Sequence, residues 1–286
     1  MKNWVLLATF FSLWLSTQLS VGYQDYLAYF FILTFGVLHG ANDIVLLTKQ
    51  HKDLKTFRAL IPYILVIIAI TLLFFYSQAL VLGLFILISG YHFGEQHYKD
   101  KLKSSHLLAR VLYTFYGLTI LFMIFYTSMG EVQQIIFDLS GYYIDALYIE
   151  VGLFINMVGF FCSFAFLIVT KVLKVELVKE LFMFLVFFIV FKVASLLWAF
   201  AIYFILWHSI PSLNDQMEVL YGSSKPKYLL NYLKTSWIYW TVSVLGLLIL
   251  YLLLRNEIDY FITVVLYVLA AITFPHVIVM SKLDKG

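Results

Sequence analysis

The sequence is poor in cysteine and in charged residues, and each shortage excludes a class of protein. Cys162 is the only cysteine and lies in an apolar run, so an internal disulfide and a metal site of several thiolates are both excluded. Charged residues make up only 12% of the chain, and the net charge is +3. No basic cluster with interleaved aromatic residues stands on a polar surface, so we predict no nucleic-acid partner.

Apolar residues take the place of the missing charge. They make up 63% of the 286 residues, and the mean hydropathy is +0.94. The apolar blocks are continuous and reach spanning length, which favours helices over the alternating strands of a membrane barrel. The predicted spans are 4–21, 26–47, 58–76, 79–96, 107–128, 149–170, 233–254 and 260–281, with a block of ambiguous form at 178–209. The sequence therefore predicts an all-α fold, a polytopic integral membrane helical bundle with about 8–10 transmembrane helices in the lipid bilayer.

Charges in the loops predict the orientation of this bundle. Lysine and arginine gather in the 48–58, 97–110 and 171–179 loops, whereas the 129–150 connection carries four acidic residues and no cation. Since loops rich in lysine and arginine stay in the cytoplasm, the first three loops and the N-terminus are expected inside. No linker, repeat or low-complexity tract divides the chain, so we predict a single membrane-embedded domain, 1–286.

The block at 178–209 admits two topologies. It is about 30 residues long, or roughly 45 Å of helix, against a hydrocarbon core of about 30 Å. A single crossing would leave Lys225 and Lys227 outside. A hairpin broken near 192–195, at Lys192, would restore the positive-inside pattern, although each half would be short for a full span. The hairpin is favoured because it would also place the histidines of the following paragraph on the same side of the membrane.

Four of the seven histidines lie inside or at the ends of apolar segments. Their motifs are Gly36-Val37-Leu38-His39-Gly40-Ala41-Asn42-Asp43, Tyr91-His92-Phe93-Gly94-Glu95, Trp207-His208-Ser209 and Pro275-His276. Placing an imidazole within a bilayer costs free energy, so a histidine there is usually functional. Imidazole is also the commonest transition-metal ligand among side chains. We therefore predict that His39, His92, His208 and His276 hold one metal ion. The simpler alternative is polar contacts between packed helices.

Two carboxylates are placed to orient these imidazoles. Asp43 follows His39 by four residues and Glu95 follows His92 by three, so a continuous helix puts each pair on one face. A carboxylate there accepts the proton of one ring nitrogen and leaves the other nitrogen for a metal, which predicts Asp43 and Glu95 as supporting residues. The alternative for the first pair is a satisfied polar contact in tight helix packing.

The remaining histidines and one lysine are given other roles. His97 follows His92 by five residues, about 140° around a helix, and is a weaker candidate ligand. His51 and His106 stand in basic loops and are predicted to be solvated. Lys192 lies within an apolar block, as a lysine that forms a Schiff base often does, but a lysine at a turn is the simpler interpretation.

Taken together, the histidine motifs resemble those of the bacterial β-carotene 15,15′-dioxygenase family (the Brp/Blh family). The likeness extends from Gly36 to His276, and its order along successive helices makes it specific. The resemblance implies an enzyme of the bacterial cytoplasmic membrane that binds Fe(II) through histidines. It implies that β-carotene and O2 are the substrates, that the central double bond is cleaved to give two retinal molecules, and that the enzyme is linked in function to a retinal-binding rhodopsin.

The sequence departs from the family pattern at two positions. Ser212 stands where a further histidine often follows the Trp-His pair by four residues, and Leu38 stands where proline is expected. The resemblance thus maps His39, His92 and His208 onto ligand positions. His276 is then the expected fourth ligand, or the site has three histidines. Aromatic residues near the motifs are expected to line a cavity for a long, flat apolar substrate, namely Tyr91, Phe93, Trp198, Tyr203, Trp207 and Phe274.

Two other functions are compatible with the motifs. A carotenoid- or retinal-binding protein or transporter would use the histidines only between helices. A membrane di-iron desaturase or hydroxylase would need about eight histidines that include adjacent pairs, whereas this chain has seven and no His-His dipeptide. A microbial rhodopsin is disfavoured because the 260–281 span contains no lysine.

Overall fold

The computed structural model describes residues 3–50, 56–102, 107–254 and 261–283, and within them the chain is almost entirely helical. His51 and His106 lie outside these residues. The α-helices are α1 (Asn3–Gln18), α2 (Val21–Phe31), α3 (Val37–Gly40), α4 (Asp43–Gln50), α5 (Thr56–Tyr76), α6 (Gln78–Tyr98), α7 (Leu107–Thr127), α8 (Met129–Ser140), α9 (Ala146–Val169), α10 (Leu177–Val193), α11 (Leu196–Tyr203), α12 (Ile210–Tyr221), α13 (Leu229–Leu254) and α14 (Phe261–Ser281). Wider π-helical turns occupy Ile32–Gly36 and Phe204–Ser209. The predicted all-α fold is confirmed.

Eight helical stretches of the described residues are long and apolar enough to cross a membrane. They are Val21–Lys49, Thr56–Tyr76, Gln78–Lys101, Leu107–Thr127, Ala146–Val169, Leu196–Tyr221, Pro226–Leu253 and Val264–Ser281. The apolar helices α1 and α10 are shorter, with 16 and 17 residues. The protein is therefore an integral membrane helical bundle, as the sequence predicts.

The chain divides into two compact units, each assembled from separate segments. The first contains Met1–Phe31, Ile86–Phe137 and Gly141–His208. The second contains Ile32–Phe85, Asp138–Ser140 and Ser209–Gly286. The single catalytic domain expected from the sequence stays a prediction.

In the first unit, glycines bring α6 and α7 into backbone contact on either side of His92. A Cβ atom on Gly117 would lie 1.8 Å from the carbonyl oxygen of Gly90, and one on Gly94 would lie 1.9 Å from that of Tyr113. Only residues without a side chain permit such an approach, which is a common way to pack helices in membranes. The close crossing fixes the part of α6 that carries His92.

A helical hairpin forms at the break that the sequence predicts near 192–195. Helix α10 ends at Val193, and α11 begins after Ser195, whose hydroxyl oxygen accepts a hydrogen bond from the backbone N–H of Trp198. The ring of Phe187 lies 5.4 Å from that of Tyr203 and 5.0 Å from that of Trp207, so α11 turns back along α10. The hairpin is confirmed, and it returns the chain to the side from which α10 starts.

The second unit has a hydrophobic core built from four helices. Its buried members come from α4, α12, α13 and α14, and they are Leu46, Met217, Leu220, Tyr232, Val279 and Met280. Helix α5 packs on α14, where the ring of Phe74 lies 4.0 Å from that of Tyr267. This core holds the segments that carry His39 and His276.

The span predicted at 26–47 is less regular than a single helix. A π-helical turn at Ile32–Gly36 precedes the short helix α3, and a turn at 41–42 separates α3 from α4. His39 and Asp43 therefore lie on either side of a two-residue turn, on α3 and α4, and both side chains contact His276.

Candidate metal centre

Both π-helical turns lie next to a histidine of the predicted metal site. One ends at Gly36, three residues before His39, and the other contains His208. The second has a clear cause, because Pro211 has no N–H and its ring clashes with the carbonyl group four residues earlier. Such turns are rare and are often found at functional sites.

His39 and His276 form a buried pair in the second unit. Their ring centroids lie 4.7 Å apart with the planes nearly perpendicular. The ring nitrogens that they can offer to a metal lie within 4.8 Å of each other. Both side chains are buried, with 5% and 3% of their surface exposed. Two imidazoles at this distance are suited to neighbouring positions around one ion.

Each ring of this pair has an acceptor against its Nδ1 nitrogen. The Nδ1–H of His39 donates to the carbonyl oxygen of Gly36. The Nδ1–H of His276 donates to the carboxylate of Asp43, at 2.9 and 3.0 Å from its two oxygens. An acceptor at Nδ1 fixes the ring tautomer and leaves Nε2 as the nitrogen that can bind a metal.

The sequence analysis assigned Asp43 to His39, and the structure corrects that partner. Because the turn at 41–42 separates Asp43 from α3, its carboxylate faces His276 on α14, 233 residues away. One oxygen of this carboxylate, Oδ2, also accepts a hydrogen bond of 2.8 Å from the hydroxyl of Tyr63. Asp43 thus joins three helices, and its role as a supporting residue stays a prediction.

A buried network holds the backbone at His39. The side-chain amide of Gln216 donates to the carbonyl oxygen of His39 at 2.7 Å, and the Tyr232 hydroxyl donates to the Gln216 Oε1 at 2.7 Å. Ser212 is fully buried, and its hydroxyl oxygen accepts from the same amide at 3.3 Å. Ser212, at the position where the resemblance described above often implies a histidine, is therefore part of this network.

The sequence analysis missed Tyr63, Gln216 and Tyr232. Gln216 carried a usable signal, because a polar amide within an apolar span is costly unless it is hydrogen-bonded. The two tyrosines carried none, since the chain contains 21 tyrosines and most positions in apolar helices suit them.

His92 and His208 form a second buried pair, in the first unit. Their ring centroids lie 4.7 Å apart with an interplanar angle of 74°. The ring of Phe204 stacks on His208 at 5.7 Å, and that of Phe93 lies 4.7 Å from it. Glu95 lies beside His92 as predicted, with 3.8 Å between its Oε2 and the histidine Nδ1. This pair therefore lies among aromatic rings with one carboxylate nearby.

The aromatic residues predicted to line a cavity take part in ring contacts and hydrogen bonds with neighbouring side chains and backbone groups. Phe93 lies 5.4 Å from Tyr203, ring to ring, and the Tyr91 hydroxyl donates to Glu95 at 3.0 Å. The indole N–H of Trp207 donates to the Thr9 hydroxyl. Trp198 also donates to α1, at the carbonyl oxygen of Ser12, and Phe274 is partly buried on α14. Their role in binding substrate stays a prediction.

His97 belongs to a polar cluster between α6 and α10. Its Nε2 lies 3.2 Å from Glu180, and its ring stacks on Tyr116 at 4.6 Å. The ammonium group of Lys101 lies 3.1 Å from the Glu180 carboxylate and 2.8 Å from His97. The Tyr98 hydroxyl also donates to Glu180, at 2.9 Å. These contacts give His97 a structural role, and its exclusion from the metal site stays a prediction.

Replacing Glu180 with glutamine is expected to lower the free energy of unfolding by about 3 kcal/mol, the low end of the cost of breaking a buried ion pair. Lys101 and His97 would lose their shared anion, while the shape of the side chain is kept. Glu176→Gln, four residues earlier at the start of α10, is the matched control. The ion pair of Glu176 with Lys179 is exposed and is expected to contribute less than about 1 kcal/mol to the free energy of unfolding. Equilibrium unfolding in mixed micelles measures both. Equal effects would contradict the role of the buried cluster.

The donor set of the two pairs fits a transition metal rather than calcium or magnesium. Each pair offers neutral imidazole nitrogens, and the only cysteine is exposed on α9. Imidazole suits iron, copper, zinc and nickel, whereas calcium and magnesium prefer oxygen ligands.

The comparisons with known proteins give one match. Residues 30–284 match the model of a family described as beta-carotene 15,15'-dioxygenase. This range includes both histidine pairs and the polar residues that support them. No curated protein and no solved structure matches the chain.

Proposed function

The chain belongs to the beta-carotene 15,15'-dioxygenase family, and from that premise we propose that it is a membrane-embedded, Fe(II)-dependent enzyme that cleaves the central double bond of β-carotene with O2 to give two retinal molecules. The observation that carries the proposal is the burial of four histidines as two close pairs, His39 with His276 and His92 with His208. Membership in the family makes a carotenoid dioxygenase the natural use of such a donor set.

We assign all four histidines to one iron ion. Catalytic metal centres keep about three or more protein ligands, whereas each pair alone supplies two. His276 takes the place of the histidine that often stands at the position of Ser212 in the family, because the hydroxyl of Ser212 accepts a hydrogen bond from Gln216 and is a poor ligand for Fe(II). Bound iron would supply the centre that activates O2.

The protein's own residues hold the imidazoles ready for this chemistry. The carbonyl oxygen of Gly36 keeps the proton of His39 on Nδ1, and Asp43 does the same for His276. Gln216 fixes the backbone at His39. Since these groups are buried and already hydrogen-bonded, the imidazoles need little reorganisation to receive a ligand.

The substrate is proposed to enter from the bilayer, because β-carotene dissolves in lipid and not in water. The bacterial cytoplasmic membrane is proposed because the family resemblance implies it, and the lysine-rich loops favour an N-terminus on the inside. Its product has an aldehyde group, which a retinal-binding rhodopsin would take up on a lysine. The aromatic residues around His208 support an apolar ligand.

Expression in cells that make β-carotene tests the proposal. We expect retinal in the extract, about one iron per purified chain, and neither retinal nor iron with His39→Ala. Intact carotenoid bound to the purified protein without retinal would favour a binding protein or transporter. Two irons per chain would favour a di-iron desaturase or hydroxylase, and aldehydes of unequal length would contradict central cleavage.

A further inference from the structure

Tyr63 stands at the end of a hydrogen-bond chain that leads to a proposed iron ligand. Its hydroxyl donates to one oxygen of Asp43 at 2.8 Å. The carboxylate of Asp43 in turn accepts from the Nδ1–H of His276. All three residues belong to the second unit, and Asp43 is 1% exposed. The carboxylate is thus shared by a phenol and an imidazole away from solvent.

We propose that Tyr63 is a positioning residue that limits how strongly His276 donates electrons to iron, by taking up part of the negative charge of Asp43. The inference rests on the proposed function. A carboxylate that accepts the Nδ1 proton of a ligating histidine makes that ring a stronger donor. A second hydrogen bond to the same carboxylate stabilises its charge and weakens its pull on the imidazole proton. Such effects are larger in a buried network than in water.

The hydroxyl of Tyr63 is held in place by packing. The side chain lies against the hydrophobic cluster of α4, α12, α13 and α14 and is partly buried there. Its neighbour Pro62 lies within α5, where it removes one backbone hydrogen bond and favours a bend. Because α5 also packs on α4 and α14, the phenol reaches Asp43 from a helix fixed against both partners.

The midpoint potential of the Fe(III)/Fe(II) couple in the iron-loaded, full-length protein tests this role. Removing the hydroxyl in Tyr63→Phe leaves the negative charge of Asp43 without this hydrogen-bond donor. Asp43 then draws the Nδ1 proton of His276 more strongly, the ring becomes a stronger donor to iron, and the potential is expected to fall because Fe(III) is stabilised. We expect about a tenfold change in the ratio of Fe(III) to Fe(II), which is about 59 mV for one electron. Asp43→Asn removes the charge itself, so its potential is expected to rise.

Three further variants separate this effect from a structural one. Tyr76→Phe, the same change on an exposed tyrosine of α5, is expected to leave the potential unchanged. Tyr63→Phe placed in the Asp43→Asn background is expected to add nothing, because the charge it acts on is gone. A 3-fluorotyrosine at position 63 keeps the shape and is a stronger donor, so it is expected to raise the potential.

The possible results distinguish a failure of the role of Tyr63 from a failure of the proposed function. An unchanged potential in Tyr63→Phe, in a protein that binds iron and makes retinal, overturns the role of Tyr63 alone. A fall of equal size in the Asp43→Asn background also overturns it, since the effect would not pass through Asp43. A wild-type protein that binds no iron overturns the proposed function, and this inference with it.

Discussion

Alanine at position 276 is expected to remove iron from the purified protein as completely as alanine at position 39. His276 faces His39 within the second unit, and its Nδ1 is held by Asp43, as befits a ligand rather than a hinge residue. Losing a supporting residue typically costs 10–100-fold in metal affinity, so losing a ligand is expected to cost more than about 100-fold. Iron per chain and retinal formed per cell measure the two consequences.

His97→Gln is the matched control for this experiment. Glutamine can still donate to Glu180, so the polar cluster of the first unit is kept, and iron and retinal formation are expected at wild-type levels. If His276→Ala instead kept its iron and its cleavage activity, a site with three histidines would replace the site with four.

Asparagine at position 43 is expected to weaken iron binding by about 10–100-fold while the protein remains folded. The side chain keeps its shape, but it loses its charge and offers one acceptor oxygen where Tyr63 and His276 now use two. The tautomer of His276 is then no longer fixed by a carboxylate. Competition with a calibrated chelator gives the affinity, and thermal unfolding in detergent reports the fold.

Asp145→Asn provides the same chemical change outside the proposed site. Asp145 caps the start of α9 with a hydrogen bond to the N–H of Leu147, and asparagine caps helices equally well. Both iron affinity and stability are expected to stay at their wild-type values. Unchanged iron affinity in Asp43→Asn would mean that Asp43 only stabilises the packing of α4, α5 and α14.

The fold class was accessible from the sequence because membrane helices are encoded locally. A continuous apolar run of spanning length has one stable form in lipid, in which every backbone group is hydrogen-bonded within its own segment. The hairpin at 192–195 needed further arguments, because the length of the 178–209 block allowed two topologies. The positive-inside pattern and the positions of the histidines favoured the hairpin. The residue types of the proposed metal site were likewise visible, because a histidine within an apolar segment costs free energy and is usually functional.

The partners of those histidines were decided only in three dimensions. Spacing along the chain predicts which side chains are neighbours only within one continuous helix. Between His39 and Asp43 the helix is interrupted by the turn at 41–42. Asp43 instead meets Tyr63 and His276, from helices 20 and 233 residues away. His97 meets Glu180 in the same way, 83 residues along the chain. The sequence by itself thus determined which elements form and which residue types carry the chemistry, whereas tertiary packing chose the hydrogen-bond partners, because buried polar groups pair with whatever the neighbouring helices present.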